Sequence, residues 1–517
     1  MLQPLPRARL QVWFVRVCSC VLVWTCLAQL VAVGDLWHGH SRLPVAVRFF
    51  LSLGNDAAVS SLSLRHQFPD FVPASPPYVP LSTGMACLET YGTGCFLMPT
   101  VHKQNAGVYK SNGYLKVSCN GGLNQMRSEI CDMVTVARFL NLTLVVPELD
   151  KRSFWADTSN FGDIFDVNHF INTLRDEVHI VKRIPKRFKG PKNILEMPPV
   201  SWSNENYYLR QILPLFDKYS VIHFNKTDAR LANNGLPLEF QKLRCHVNYQ
   251  ALKFTPQIEA LGNKLIKILK ERGSYVALHL RYEMDMLAFS GCTRGCSVEE
   301  ANELKRLRYA YPWWREKEID SVAKRLQGLC PLTPEETSLV LQALGFNNST
   351  QIYVASGEIY GSDHRLTDLR AAFPRLLRKE MLLDPEDLRQ YQNHSSQMAA
   401  LDYLVSISSD IFIPTYDGNM AKVVEGHRRY LGFRKSIVLD RRKLVELLDL
   451  YANKTLSWSE FTGTVQEIHK NRVGQPSCRK VLINKPKEED YFYANPYECL
   501  SNSTECEEPS NSSDALR

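Results

Sequence analysis

The chain has 517 residues, of which 44% are hydrophobic and 22% are charged, and its formal net charge is +8. This composition excludes a disordered protein, a collagen and a small disulfide-stapled domain. It also excludes a polytopic membrane protein, because only one stretch is long and apolar enough to span a bilayer. The length predicts two or three domains, and the dispersed Lys and Arg residues argue against a nucleic-acid-binding protein.

The apolar stretch, residues 17–34, contains no charged side chain; several arginines precede it and Asp35 follows it. A basic flank before a single apolar segment predicts a type II signal anchor with a lumenal body. A cleaved signal peptide is the alternative, but the stretch is long for one and its cleavage site is poor. We expect a cytoplasmic tail at residues 1–16, a transmembrane helix at 17–34 and a stem at 35–109, which is rich in proline at 68–80.

Cysteines and sequons also point to the secretory pathway. Eleven of the fourteen cysteines follow the apolar stretch, and no pair has the spacing of a structural zinc site. We therefore predict one or two disulfides and at least one free thiol, with Cys119 and Cys131 buried in the core. Asn-x-Ser/Thr triplets predict glycosylation at Asn141, Asn225, Asn347, Asn348, Asn393, Asn453, Asn502 and Asn511.

The globular body begins near residue 110 with a strand at 114–119, a tight turn at 120–122, a helix at 123–140 and a strand at 142–146. This order is that of a βαβ unit. A second cluster begins at residue 274. It comprises strands at 274–282, 351–355 and 411–414, helices at 365–373, 397–406 and 418–430, and segments at 379–383 and 436–439.

Strands that alternate with helices predict an α/β fold with parallel, doubly wound sheets. Two such clusters predict two Rossmann-like domains that face each other, one at residues 110–270 and one at residues 271–484. Residues 485–517 are acidic and rich in Ser and Asn, so we predict a disordered tail there.

The first group of candidate functional residues follows the first strand. Gly121 and Gly122 lie between a strand and a helix, where glycine lets a ligand approach the backbone and the helix N-terminus favours anions. A plain βα turn would explain both glycines equally well. It explains less well the polar Asn124 and Arg127 in the first helical turns, at the carboxyl end of a strand where α/β sheets bind ligands.

The second group is more specific. His279, Arg281, Glu283 and Asp285 alternate with apolar residues, and they share one face if the strand stays extended. A solvated edge strand with self-paired charges is one explanation. The other is an active-site lip where Arg281 clamps a phosphate and a carboxylate acts as a base. The crowding of charges at the carboxyl end favours the second, although Glu283 and Asp285 can equally lie in a loop.

The third group follows the strand at 411–414. Thr415 and Asp417 can cap the following helix, which is a common structural role. Alternatively, Thr415 and Tyr416 bind or stack on a nucleotide, and Asp417 accepts hydrogen bonds from its base or ribose. No H-E-x-x-H, G-x-S-x-G or loop D-x-D motif is present in the sequence, and Glu283-x-Asp285 comes closest to the last. We therefore expect a metal-independent site with no cofactor, in which cations and helix dipoles hold a diphosphate.

These three groups together resemble the plant members of the GDP-fucose protein O-fucosyltransferase superfamily over residues 110–484. Residues 118–150, 279–292 and 309–314 (Tyr-Ala-Tyr-Pro-Trp-Trp) are most similar to the rhamnogalacturonan I rhamnosyltransferase branch, and residues 417–433 and 485–493 resemble it as well. The resemblance implies a GT-B-like fold and an inverting transfer, without a metal, of L-rhamnose from UDP-β-L-rhamnose. The implied acceptor is a galacturonic-acid-terminated oligosaccharide of the pectin backbone, and the implied location is the Golgi membrane.

The resemblance also implies roles for individual residues. Arg281 would neutralise the leaving diphosphate, and Glu283 or Asp285 would act as the base. Asn124 and Arg127 would lie beside the sugar and the phosphates. The full set of predicted substrate-binding residues is Gly121, Gly122, Asn124, Arg127, His279, Leu280, Arg281, Thr415, Tyr416 and Asp417.

Two alternatives stay open at the level of sequence. One is a GDP-fucose transferase that acts on protein or arabinogalactan, because nothing in the sequence identifies the nucleotide pocket. The other is a lumenal pseudo-transferase that scaffolds other synthases. The expected partners are a nucleotide-sugar donor, an acidic oligosaccharide acceptor, the Golgi membrane through one helix, and other Golgi synthases, with no nucleic acid.

Overall fold

The structure is a computed structural model that describes residues 111–227, 230–233, 235–479 and 491–500. These residues all belong to one compact unit, Phe96–Arg517. The predicted cytoplasmic tail, signal anchor and stem lie outside the described residues. Within the described ranges, no helix combines the length and the apolar character needed to cross a membrane.

The first half of the chain forms a five-stranded sheet. Its strands are β1 (Tyr114–Cys119), β2 (Thr143–Val145), β3 (Ile180–Val181), β4 (Ile194–Met197) and β5 (Val221–Thr227). They are ordered β3-β2-β1-β5-β4, and every neighbouring pair is parallel. Its helices are α1 (Leu123–Phe139), α2 (Phe161–Ile164), α3 (Val167–Thr173), α4 (Glu205–Tyr207), α5 (Leu238–His246) and α6 (Pro256–Glu271).

Short turns complete this half. They are the 3-10 turns Lys186–Phe188, Pro191–Asn193 and Leu213–Asp217 and the π-helical turns Tyr208–Ile212 and Val247–Ala251. The predicted βαβ unit is confirmed: β1 has the predicted bounds, and α1 ends one residue before the predicted end. Helix α1 forms because its apolar residues recur every three or four positions, and Met126, Ile130 and Val134 are all buried against the sheet.

The second half forms a four-stranded parallel sheet. Its strands are β6 (Tyr275–His279), β7 (Gln351–Val354), β8 (Leu376–Leu377) and β9 (Ile411–Pro414), ordered β8-β7-β6-β9. Its first helices are α7 (Met284–Ser290), α8 (Val298–Ala310), α9 (Ser321–Leu326), α10 (Pro334–Ala343), α11 (Ser362–Arg365) and α12 (Thr367–Ala372). The remaining helices are α13 (Lys379–Leu382), α14 (Pro385–Leu388), α15 (Ser395–Ser408), α16 (Asn419–Tyr430), α17 (Arg441–Ala452) and α18 (Trp458–His469). The predicted α/β class with parallel sheets is confirmed.

Strand β6 is buried on both faces, as expected for the interior of a parallel sheet. Tyr275 and Ala277 enter one apolar cluster, which also contains Val117 of β1. Val276 and Leu278 enter a second cluster on the opposite face. The apolar packing therefore fixes the end of β6 relative to the rest of the fold, and that end carries the charged residues of the predicted site.

Several predicted elements have different bounds in the structure. The strand predicted at 274–282 ends at His279, because the Arg281 N–H donates to the Thr415 hydroxyl at 3.1 Å and not to a neighbouring strand. The helix predicted at 365–373 is split into α11 and α12, and the segment at 379–383 is helical over α13. The segment at 436–439 forms an isolated bridge, between Ser436 and Phe412, and no strand of its own, although Ser436 and Val438 also donate their N–H groups to the carbonyls of Val473 and Arg472.

The prediction of a disordered tail over 485–517 is wrong for residues 491–500. Phe492 and Tyr493 are 1% exposed, and the Tyr493 hydroxyl donates to Asp132 at 2.6 Å. A 3-10 turn at Tyr497–Cys499 ends in a disulfide to Cys245. Buried aromatic rings and the covalent link offset the entropic cost of ordering this segment despite its polar surroundings.

The predictions of disulfides and of buried free thiols at Cys119 and Cys131 are confirmed, but the expected number of one or two disulfides is too low, because Cys478 is disulfide-bonded as well. Disulfides join Cys245 to Cys499 and Cys292 to Cys330. Among the described residues, the thiols of Cys119, Cys131 and Cys296 are free, and the first two are buried.

Candidate active site

Other residues of the chain contact both glycines of the turn after β1. Gly121 has a φ of 90°, which favours glycine, and its N–H donates to Asp150 Oδ2 at 2.7 Å. A Cβ on Gly122 would lie 3.2 Å from the indole nitrogen of Trp155, so this glycine allows the ring to approach the backbone. The two glycines therefore serve the local packing, and their predicted contact with substrate stays a prediction.

Asn124 is the residue of this turn that best fits a ligand contact. It lies in the first turn of α1 and is 5% exposed. Its side-chain oxygen is buried and accepts no hydrogen bond from the described residues. Because a buried acceptor without a partner is costly, such a group is usually one that a ligand or water satisfies.

Arg127 does not occupy the predicted position beside the phosphates. Its guanidinium is 1% exposed and donates to the main-chain carbonyls of Asn248 at 2.5 Å and Leu252 at 3.2 Å. It also lies 4.7 Å from the Tyr403 ring centroid and 5.4 Å from that of Phe254. These contacts fix α1 to the segment that follows α5, so we correct the prediction and assign Arg127 a structural role.

The charged residues after β6 form a compact ion-pair cluster. Arg281 donates to Asp285 through two bonds, at 3.0 Å and 2.6 Å, and to Glu283 Oε2 at 2.7 Å. Glu283 Oε1 in turn accepts a hydrogen bond from the Gly357 N–H at 3.2 Å. The predicted trio is therefore brought together, although by a turn and the start of α7 and not by one face of a strand.

The electrostatics of this cluster constrain its chemistry. Burial disfavours the ionised form of Glu283, but the positive charge of Arg281 and the hydrogen bonds from Arg281 and the Gly357 N–H together outweigh burial and lower the pKa of Glu283 below its usual range. The same two carboxylates raise the pKa of Arg281 despite its burial, so its charge is fixed. The Arg281 Nε–H donates to none of the described residues, which leaves a donor for a ligand.

His279 and Leu280 support the cluster from within the core. The His279 Nδ1–H donates to the Ala355 carbonyl at 2.8 Å, and burial lowers the pKa of His279, so the ring is neutral. Leu280 is fully buried in the apolar cluster behind β6. Their side chains hold the strand end in place, and neither presents an exposed surface to a substrate.

In the third predicted group, Thr415 is buried and has a structural role, whereas Tyr416 and Asp417 are more exposed. Thr415 is fully buried; its N–H and hydroxyl both donate to the His279 carbonyl, at 3.0 Å and 3.2 Å. Thr415 therefore fastens β9 to the end of β6. The Arg441 guanidinium lies 4.8 Å from the centroid of the Tyr416 ring. The exposed Asp417 lies with its Oδ2 atom 3.7 Å from the Nζ atom of Lys422. Each of these two residues therefore has a cationic neighbour, and the predicted contact of Tyr416 and Asp417 with a nucleotide stays a prediction.

Trp155, which sequence reasoning missed, joins the first group to the second. The Arg281 guanidinium lies 5.5 Å from the centroid of the Trp155 ring, and the indole nitrogen of the same ring approaches Gly122. The ends of β1 and β6 therefore meet around one tryptophan. The aromatic pair Phe154-Trp155, within an otherwise polar loop, was the available signal in the sequence.

The polar start of α15 receives this same loop. Asp157 accepts a hydrogen bond from the Ser396 N–H at 2.6 Å, and Gln397 donates to the Ser159 hydroxyl at 2.8 Å. Burial opposes ionisation of Asp157, but the hydrogen bonds from Ser159 and Ser396 lower its pKa below the usual range. The residues that follow Trp155 in this loop are therefore fastened to the start of α15 by hydrogen bonds.

The predicted glycosylation sites differ in exposure. Four of them lie at exposed positions, namely Asn347, Asn348, Asn393 and Asn453. Asn141 is half-buried, and Asn225 lies in β5, where it donates to Glu196 at 2.8 Å. Asn502 and Asn511 lie outside the described residues, and use of every site stays a prediction.

The prediction of a metal-independent site also stays a prediction. In the part of the chain that the structure describes, no group of three or more His, Cys, Asp or Glu side chains is arranged to hold a metal ion. Glu283 and Asp285, the pair closest to a metal-binding motif in the sequence, are both engaged by Arg281.

Comparisons with known proteins agree with the motif resemblance. A family model described as GDP-fucose protein O-fucosyltransferase matches residues 114–431. The chain is 63% identical over 503 residues to rhamnogalacturonan I rhamnosyltransferase 1 of Arabidopsis thaliana, which covers 97% of this chain and 93% of the relative. It is 61% identical over 502 residues to rhamnogalacturonan I rhamnosyltransferase 4 of the same plant, which covers 96% and 95%.

A more distant relative carries another name. O-fucosyltransferase 7 of Arabidopsis thaliana is 49% identical over 399 residues, covering 76% of this chain and 70% of the relative. Among solved structures, POFUT1 in complex with GDP overlaps 64% of this chain and 100% of its own at 18% identity and a TM-score of 0.39. This TM-score and this identity are too low to support an inference about the present chain. The family model spans more than half of the sequence, and the chain belongs to the GDP-fucose protein O-fucosyltransferase family.

Proposed function

We propose that this chain is a glycosyltransferase that moves L-rhamnose from UDP-β-L-rhamnose to galacturonic-acid-terminated rhamnogalacturonan I in pectin synthesis. The observation that carries the proposal is the 63% identity, over 97% of the chain, to a rhamnogalacturonan I rhamnosyltransferase. The O-fucosyltransferase relative is 49% identical over a shorter alignment. Transfer of fucose from GDP-fucose is therefore the second candidate, favoured by the family to which the chain belongs.

The proposed architecture is GT-B-like, with two Rossmann-like domains at residues 110–270 and 271–484 that face a cleft. Support comes from the two parallel sheets and from Trp155, which lies between the end of β1 and the Arg281 cluster. The proposed location is the Golgi membrane, where residues 17–34 would anchor a lumenal body.

In the proposed mechanism, Arg281 stabilises the negative charge that develops on the leaving diphosphate. Its charge is permanent, its Nε–H has no described acceptor, and it is oriented by Glu283 and Asp285. Two carboxylates around one guanidinium leave a net negative cluster, so a diphosphate either meets the Nε–H of Arg281 or displaces one carboxylate from the guanidinium.

The proposed proton acceptor follows from the same geometry. A general base works best when its pKa lies near the operating pH, and the lowered pKa of Glu283 makes it a weak base. We therefore favour a loose transition state with inversion, in which the acceptor hydroxyl attacks from the face opposite the diphosphate and loses its proton late. The hydroxyl is by then strongly acidic, so a weak base, Glu283 or water, is sufficient to take the proton. Asn124, whose buried side-chain oxygen has no described partner, would accept a hydrogen bond from a hydroxyl of the sugar.

The experiment is a donor comparison with purified protein. UDP-β-L-rhamnose and GDP-fucose are each offered with a rhamnogalacturonan I oligosaccharide that ends in galacturonic acid. We expect rhamnosyl transfer with an inverted anomeric configuration in the product NMR spectrum, and no fucosyl transfer. Fucosyl transfer alone would replace the first candidate by the second, and absence of any transfer would leave a pseudo-transferase.

A further inference from the structure

A group of aromatic side chains lies beside the Arg281 cluster and has no part in the proposed transfer chemistry. The rings come from three separate segments: the loop after β2, the end of α7 and the loop between α8 and α9. We call this group the aromatic row, and it consists of Phe154, Trp155, Phe289, Tyr311, Trp313 and Trp314.

The rings follow one another outward from Arg281. Trp155, which contacts Arg281, lies 5.6 Å from Phe154, and Phe154 lies 6.4 Å from Trp314, measured between ring centroids. Beyond these, Phe289 lies 5.9 Å from Trp314. Tyr311 connects Trp314, at 4.7 Å, with Trp313, at 5.1 Å. A continuous series of rings therefore leads from the charged cluster to the surface.

The outer end of the row is open to solvent. Trp313 is 56% exposed and Phe289 is 53% exposed, although both are large apolar side chains. Neighbouring exposed aromatic rings of this kind usually mark a binding surface. A purely structural row would bury its largest rings, and here a tryptophan, Trp313, is the most exposed of them.

The charges beside the row indicate an acidic occupant. Arg152 and Arg315 are exposed and flank the rings in sequence, two residues before Phe154 and one residue after Trp314. Neither arginine forms an ion pair or a side-chain hydrogen bond with any described residue. The nearby acidic residues are already paired, Glu316 with Lys324 at 2.9 Å and Glu318 with Lys305 at 3.1 Å.

We propose that the aromatic row is the acceptor-binding surface, on which successive sugar rings of an acidic oligosaccharide stack as the chain leads away from Arg281. The C–H faces of a sugar ring pack on an aromatic ring, and its carboxylates meet the flanking arginines. A saccharide with a regularly spaced uronic acid fits this combination of rings and isolated cations. The assignment rests on the proposed function, because it supplies the acceptor side of that same site.

The test compares Trp313→Ala and Phe289→Ala with a matched control, Trp458→Ala. Trp458 is also a partly exposed tryptophan, 39% exposed, but it packs on Phe461 of α18 outside the row. Steady-state kinetics are measured with UDP-β-L-rhamnose and with a short and a long galacturonic-terminated rhamnogalacturonan I oligosaccharide. Binding of the long oligosaccharide is also measured by isothermal titration calorimetry without donor.

We expect each row substitution to raise the KM and the Kd for the long acceptor about three- to tenfold, as loss of one aromatic contact does. The KM for the donor and the thermal midpoint stay at the wild-type values, and the short acceptor is affected less. Trp458→Ala leaves both acceptor constants unchanged.

Two outcomes separate this proposal from the proposed function. If wild-type protein transfers rhamnose and both row variants keep the wild-type acceptor KM and Kd, the row is not the acceptor surface. If wild-type protein transfers no rhamnose, the proposed function fails, and the calorimetric Kd still decides the row. Weaker oligosaccharide binding in both row variants alone would uphold the row, and equal binding would overturn it.

Discussion

Replacing Arg281 by methionine separates the structural role of the ion-pair cluster from its chemical role. The side chains of Arg281, Glu283 and Asp285 are only 15%, 11% and 10% exposed, and the salt-bridge contacts measure 2.7 Å and 2.6 Å. Methionine fills a similar volume but leaves two buried carboxylates without a counter-charge. Breaking a buried ion pair in this way costs about 3–5 kcal/mol, which for a body of this size lowers the thermal midpoint by about 3–6 °C.

The rescue variant combines Arg281→Met with Glu283→Gln and Asp285→Asn. It removes the uncompensated charges, so we expect most of the lost thermal midpoint to return while rhamnosyl transfer stays absent. Arg389→Met is the matched control, because Arg389 pairs with Glu386 on the surface, where both side chains are 71% exposed. Loss of an exposed pair costs about 0–1 kcal/mol.

Scanning calorimetry gives the thermal midpoint, and a transfer assay with a radiolabelled donor gives the activity. A single Arg281→Met variant as stable as wild type would refute the reasoning that the cluster is buried and charged. A triple variant that transfers rhamnose at the wild-type rate would refute the assignment of Arg281 to the diphosphate.

Three further substitutions test other parts of the account. Glu283 has a lowered pKa, so the stability it contributes is complete above its ordinary pKa near 4.5 and is lost as the pH falls through the folded-state value. The difference in thermal midpoint between wild type and Glu283→Gln should therefore shrink from pH 7 to pH 3, and a constant difference would contradict this. Asn124→Ala should lower kcat/KM at least about tenfold without lowering the thermal midpoint, because its buried oxygen has no described partner; unchanged kinetics would exclude a ligand role. Tyr493→Phe should cost about 1–3 kcal/mol of unfolding free energy, measured by urea denaturation, because Asp132 loses a buried hydrogen bond while Arg244 stays paired with it; an unchanged value would mean that the C-terminal segment is not docked in solution.

The regular part of the fold is predictable from local sequence. Strand β1 and helix α1 appear at the expected positions because apolar spacing is a property of neighbouring residues. For the cluster around Arg281, the alternation of charged residues predicts either one strand face or a loop that carries Glu283 and Asp285. The structure agrees with the second, because β6 ends at His279, and Asp285 meets Arg281 because both flank the start of α7.

The remaining features depend on contacts between distant parts of the chain. Arg127 is predicted beside a ligand, but three aromatic rings enclose its guanidinium, namely those of Phe165, Phe254 and Tyr403. These rings come from three separate segments of the chain, so no local sequence pattern specifies the arrangement. Trp155 acquires its place between Gly122 and Arg281 only when both sheets have formed. Tyr493 was assigned to a disordered tail because its neighbours are acidic, whereas its buried partner Asp132 lies in α1.

The central claim is the choice of donor and acceptor, and the most direct test is the ratio of kcat/KM for UDP-β-L-rhamnose to that for GDP-fucose on one rhamnogalacturonan I acceptor. The account predicts a ratio far above one, with a rhamnose residue added to the terminal galacturonic acid. A ratio below one, or rhamnose released only as free sugar, would contradict it.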